Sequence, residues 1–119
     1  MNMHHIDDFL CLCIECKASD LHVAANMPIM VRINGELSAL TTVVLNEAEV
    51  KELIYAIFSN DQIHMYETNH ELDMSYTIKG LSRFRVNVYR ERGSVAAAFR
   101  VIPTKNPVPK SMMYQPNYC

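Results

Sequence analysis

Glycine is scarce in this chain, with three in 119 residues, and tryptophan is absent. Gly35, Gly80 and Gly93 all stand between runs of strand character, and none opens a helix. A phosphate-binding loop needs glycines where a strand feeds a helix, so that backbone N–H groups can approach the phosphates closely. Neither G-x-x-x-x-G-K-[ST] nor G-x-G-x-x-G occurs, which excludes nucleotide binding through a phosphate loop of the chain's own. Long apolar runs are missing as well. Nothing approaches the ~18 residues of a membrane span, so no direct membrane insertion is expected. The opening Met-Asn-Met-His-His-Ile-Asp-Asp lacks the basic start and apolar centre of a signal peptide. A cytoplasmic protein with reduced cysteines is the expectation. A general excess of positive charge is absent too: the net charge of −2 argues against a broad nucleic-acid binder.

Of the four cysteines, Cys11, Cys13 and Cys16 form C-x-C-x-x-C. On a helix Cys11 would point away from Cys13, no second ligand cluster follows, and Cys119 is terminal. Structural zinc sites are normally four-coordinate, so these cysteines read as small apolar helix residues, and His4 and His5 alter that little. No metal is expected.

What is present is the composition of one ordinary globular domain, 50% hydrophobic and 20% charged. Residues 5–17 space Ile6, Phe9, Leu10, Cys13 and Cys16 by three and four, a helix pattern. Strands are expected at 21–24, at 29–33 after an Asn26-Met27-Pro28 turn, and at 36–40 after Asn34-Gly35, a strong hairpin signal. Asn46 caps a helix whose apolar face is Val50, Leu53, Ile54, Ile57 and Phe58. Ser59-Asn60-Asp61 starts a second helix to about residue 69, with Ile63, Tyr66 and Met65 as its inward set. Residues 71–78 alternate as a strand, and Lys79-Gly80 turns into the last hairpin. The order is α-β-β-β-α-α-β-β-β, an α+β domain over residues 1–103. Prolines 103, 107, 109 and 116 then mark residues 104–119 as a linker or atypical tail.

That last hairpin, residues 80–102, carries the functional question. Five of the chain's arginines and one glutamate fall between positions 83 and 100. Alternation puts Phe84, Val86 and Val88 on one face and Arg83, Arg85, Asn87 and Tyr89 on the other. A two-residue loop at Arg92-Gly93, or a four-residue loop over 91–94, sets Arg85 directly opposite Arg100. Facing like charges repel. Either a neighbouring carboxylate such as Glu71 or Asp73, or a bound phosphate gripped by planar guanidinium forks, would compensate them. Asp20 and His22 also alternate at a strand start, but without a nucleophile or third partner. For them the expected role is local, with Ser19 and Asp20 bonding backbone N–H groups at a helix-to-strand turn.

Four strings, Ala18-Ser19-Asp20-Leu21-His22-Val23, Pro28-Ile29-Met30-Val31-Arg32-Ile33-Asn34-Gly35-Glu36-Leu37, Ser82-Arg83-Phe84-Arg85-Val86-Asn87 and Phe99-Arg100-Val101-Ile102-Pro103, occur in this order. Together they resemble the N-terminal domain of the type IV pilus retraction ATPases of the twitching-motility PilT/PilU type, within the secretion ATPase superfamily. The resemblance covers about residues 4–105. It implies a PAS-like antiparallel sheet with helices on one face, followed in full-length members by a RecA-like ATPase domain that is absent here. It also implies a cytoplasmic homo-hexamer, with the N-terminal domain of one subunit against the ATPase domain of the same or the next. Such a motor acts on the pilus machinery at the inner membrane and is peripheral to the membrane through these partners.

ATP and magnesium belong to the second domain of that family, as do the phosphate loop, catalytic glutamate, acidic box and histidine box. This chain alone therefore implies no cofactor and no catalysis. The resemblance gives the arginines a meaning: Arg85 and Arg100 match positions that reach the nucleotide phosphates when the two domains close, and Arg83 and Arg92 are secondary candidates flanking them. The alternative is a free-standing PAS-like sensor or adaptor domain without ATPase function. A single-stranded nucleic-acid binder is weaker still, because Phe84 and Phe99 should point inward, away from a stacking surface.

Overall fold

Residues 5–103 are described in a computed structural model of the chain. The expected tail over 104–119, with Cys119, lies outside the described residues, as does His4. The elements are α1 (Ile6–Glu15), β1 (Asp20–Val23), β2 (Met27–Ile33), β3 (Glu36–Leu45), α2 (Glu47–Tyr55), α3 (Asn60–Asn69), β4 (Glu71–Ile78), β5 (Ser82–Glu91) and β6 (Ser94–Ile102). This is the expected α+β order. The strands form one six-stranded sheet in the order β3-β2-β1-β6-β5-β4, with every neighbouring pair antiparallel.

Local chemistry accounts for the helix starts. His5 Nδ1 accepts from the Asp7 N–H at 3.1 Å, and Asp7 and Asp8 occupy the positively polarised first turn of α1. Asn46 and Glu49 bond each other's backbone N–H groups in a capping box, and Ser59 and Gln62 repeat the device on α3. Each helix lays its apolar stripe on the same face of the sheet. Ile6, Phe9, Leu10 and Cys13 of α1, Val50, Leu53 and Ile54 of α2, and Tyr66 of α3 join one core with Leu21, Val31, Phe84, Val86, Val88 and Phe99. Tyr76 on β4 donates its hydroxyl to Asp7 at 2.6 Å, tying α1 to the sheet. Among the described residues no helix is long and apolar enough to cross a membrane.

Four details differ from the sequence reading. β3 runs to Leu45 rather than residue 40, because the β2–β3 register slips between Met30↔Ala39 and Pro28↔Val44 and the strand resumes after a bulge. Pro28 lies inside β2, beyond the last β1–β2 pair at His22↔Met30, where a missing N–H costs no ladder bond to β1. α2 ends at Tyr55, and Ile57 and Phe58 reach the core from a tighter turn, with N–H bonds three residues back to Ile54 and Tyr55. Met65 is 48% exposed, so only Tyr66 of that helix is fully inward.

Cys11 and Cys13 are both buried in α1. Burial pushes the Cys13 thiol up from its ordinary 9.0 to about 12, with smaller pushes from Cys16 and Asp20. A thiol held neutral in the fold stabilises it fully below pH 9.0, and that stabilisation is lost as pH rises toward about 12, where only the unfolded chain ionises first. The urea midpoint is therefore expected to fall between pH about 8 and about 10, and Cys13→Ala is expected to flatten this slope. Tyr55, pushed up from 10.0 to about 12 by burial and by its bond to Glu67, adds its share above that range.

Candidate functional site

The β5–β6 hairpin closes through Arg92 and Gly93, both at positive φ (+53° and +81°), the two-residue turn whose twist suits a hairpin. That turn fixes the register from Glu91↔Ser94 down to Arg85↔Arg100, the pairing expected from the sequence. Phe84, Val86, Val88 and Phe99 go into the core; Phe84 and Phe99 are fully buried and offer no stacking surface. Arg85, Asn87, Ala98 and Arg100 lie on the opposite face, which the helices leave open.

Neighbouring strands supply the compensation. β4 sets Asn87 against Asp73 and Ser75 against Arg85. The Asp73 carboxylate accepts a fork from Arg85, at 2.8 Å from Nη2 and 3.4 Å from Nε. This bond, more than the bare charge, holds the Asp73 carboxyl below its ordinary range and raises the guanidinium in turn. On the other side, β1 pairs Asp20 with Arg100 and with Arg32 on β2. Arg100 Nε donates to Asp20 Oδ1 at 3.2 Å, Arg32 Nε stands 3.6 Å from Oδ2, and Ser19 Oγ donates to Oδ2 at 3.1 Å.

Asp20 is thus more than a local turn residue. Its side chain is 12% exposed and sits between two guanidinium groups brought to it by the two strands that flank β1. The sequence shows Asp20 at a strand start, but its partner Arg100 comes from a pairing 80 residues away that local pattern does not reveal. Arg85 and Arg100 remain 67% and 74% exposed, so both guanidinium groups are open to a ligand.

The secondary candidates separate. Arg83 shares the face of Arg85 two residues along, opposite Thr77 and Ile102, and is exposed. Arg92 sits in the hairpin turn, seven residues and ~23 Å of strand from Arg85, in a different hollow beside Ala25, Asn26 and Glu47. It does not flank the Arg85–Arg100 surface, because the turn lies at the far end of the hairpin. Between the arginine row and the next row of side chains, the open face dips into a hollow of about 380 Å³. Ala98 lines it with Asp20, His22, Asp73, Asn87 and the two arginines. Among the described residues no group of three or more His, Cys, Asp or Glu is placed to hold a metal ion.

No protein-family model matches the chain. Over 100 residues it is 35% identical to the type IV pilus retraction ATPase PilT of Pseudomonas aeruginosa, covering 84% of this chain and 29% of that protein. The type IV pilus ATPase PilU of the same organism is 28% identical over 101 residues, 85% of this chain and 26% of its own length. The crystal structure of the pilus retraction motor PilT with bound ADP superposes with a TM-score of 0.80 at 34% identity, covering 91% of this chain and 34% of that one. The chain therefore spans about 29% or less of the length of these curated relatives. In sequence and in fold the chain matches the N-terminal domain of the PilT-type secretion ATPases.

Proposed function

We propose that this chain acts as the N-terminal domain of a twitching-motility, pilus-retracting ATPase, and that Arg85 and Arg100 contact the phosphates of ATP held by a RecA-like domain. That domain, with its magnesium, belongs to the same subunit or to a neighbour in a homo-hexamer, and the motor works on the pilus machinery at the inner membrane. The observation that carries this reading is the pair of exposed guanidinium groups facing each other across β5 and β6. Surface ion pairs add little net stability, so the Asp73 fork holds Arg85 in position without binding it tightly. A phosphate, with more charge and more acceptor oxygens, competes well for such a fork. Alone, two arginines without a phosphate loop, magnesium site or base pocket bind nucleotide weakly, so the domain completes a site that another domain builds.

The test joins the chain to the ATPase domain of a PilT-type relative. Arg85→Ala or Arg100→Ala is expected to lower ATP turnover by roughly 10–1000-fold, since groups aimed at transferring phosphates have effects of this order. Arg85→Lys should recover part of the rate, because an ammonium keeps the charge but not the fork. Parental turnover in both alanine variants would show that these arginines do not touch the nucleotide, leaving the adaptor role.

A further inference from the structure

Two residues along each strand from the arginine row, the open face carries a second row: His22 on β1, Ala98 on β6, Asn87 on β5 and Asp73 on β4. Ala98 places only a methyl group between the imidazole of His22 and the amide of Asn87. The face dips there, and this dip is the hollow of about 380 Å³ that Arg85 and Arg100 also line. His22 Nε2 is buried and has no hydrogen-bond partner among the described residues. Buried polar atoms are nearly always paired in native folds, so an orphan beside a hollow requires a reason.

The charges of the hollow fit an anion. Arg32, Arg85 and Arg100 stand against Asp20 and Asp73, an excess of one positive charge before any ligand arrives. Asp20 is already shared between Arg32 and Arg100. Asp73 is half-exposed and able to turn outward.

We infer that the hollow over Ala98 is a phosphate seat, in which His22 Nε2 and the Asn87 amide bind the phosphate chain of a nucleotide alongside Arg85 and Arg100. This inference rests on the phosphate-contact reading of the two arginines and extends it to a second pair of contacts. In its Nε2–H tautomer the imidazole donates to a phosphate oxygen, and the Asn87 side chain donates from the facing strand. The row spacing of two residues, about 6.6–6.8 Å, suits an extended diphosphate better than one phosphate alone. Nε2 is shielded from water in this structure, so it meets the ligand once the side chains around it part to admit it.

The test uses the full 119-residue chain and sodium pyrophosphate, followed by NMR. Titration into the millimolar range is expected to move the His22 ring signals and the Arg85 and Arg100 Nε–H signals along one saturating curve, while acetate at equal ionic strength moves none of them. His22→Ala should raise the pyrophosphate Kd about fivefold, and His22→Gln, which retains a donor, should raise it less. Arginine signals that shift while the His22 ring stays still would overturn the inference and leave the arginine reading standing. Silence from all three groups would overturn it as well, and the turnover of Arg85→Ala in the joined ATPase would still decide the arginine reading on its own.

Discussion

Phe99→Ala lowers the unfolding free energy by about 3–5 kcal/mol, the cost of emptying a large, fully buried aromatic site. Phe99 is the largest core-facing residue of β6, one of the two central strands, and pairs with Leu21 on β1 and Val86 on β5. Both partners are themselves at or near zero exposure, so the surrounding side chains have little room to collapse into the void. Against a typical domain stability of about 5–15 kcal/mol, this is a large fraction, and the thermal midpoint should drop by at least ~12 °C. Phe99→Leu, which keeps most of the volume, should cost less than half as much. Urea denaturation followed by circular dichroism measures both. A loss under about 1 kcal/mol for the alanine variant would mean that β6 does not occupy the centre of the sheet. The result bears on the site directly, because Arg100 is the next residue and takes its position from the packing of Phe99 on the opposite face.

How much of this was legible in the sequence depends on whether the deciding interaction is local. Asn34-Gly35 and Arg92-Gly93 carry consecutive positive φ angles, and such turns set hairpin register within a few residues. Arg85 could therefore be placed opposite Arg100 by counting outward from the turn. The helix starts were readable for the same reason, since a cap and its partner stand three residues apart. The bulge that extends β3 was not readable, because Ala39 and Val44 both answer to β2 and nothing local marks the slip between them. The end of α2 was missed because Ile57 and Phe58 continue the apolar period although the backbone has tightened beneath them. Cys11 and Cys13, read as small apolar helix residues, are both buried in α1.

The site divides along the same line. Asp73 as a partner for Arg85 was foreseeable, since β4 and β5 form a hairpin and their register follows from the turn at Gly80. Asp20 was foreseeable only as a turn residue. Its partner Arg100 arrives through the β1–β6 pairing, which joins the two halves of the chain at the middle of the sheet. That pairing is also what makes Arg85 and Arg100 different. Arg85 leans on an exposed carboxylate at 2.8 Å, whereas Arg100 leans on one that is nearly enclosed.

Asp20→Asn tests that difference and has the second-largest expected effect on stability. The substitution keeps shape and burial but removes the charge shared by Arg32 and Arg100. Arg32, Arg100 and Arg85 would then crowd one face with Asp73 as their remaining carboxylate in the hollow. Charge-assisted bonds are worth about 1.5–3 kcal/mol each, but both guanidinium groups reach solvent, so the loss should be nearer 1–2 kcal/mol. Asp73→Asn, at an exposed pair, should move the urea midpoint very little. The sign of the salt response separates charge compensation from simple packing. Screening weakens attraction in the parent and repulsion in the variant, so added salt should narrow the gap between them. Phosphate should narrow it further than chloride at equal ionic strength, because an anion gripped by the unpaired guanidinium groups restores the missing negative charge. If Asp20→Asn unfolds at the parental urea concentration in both salts, the enclosed carboxylate is not what holds the arginines apart. Should chloride and phosphate act alike on a destabilised variant, Asp20 compensates charge but the face does not select phosphate.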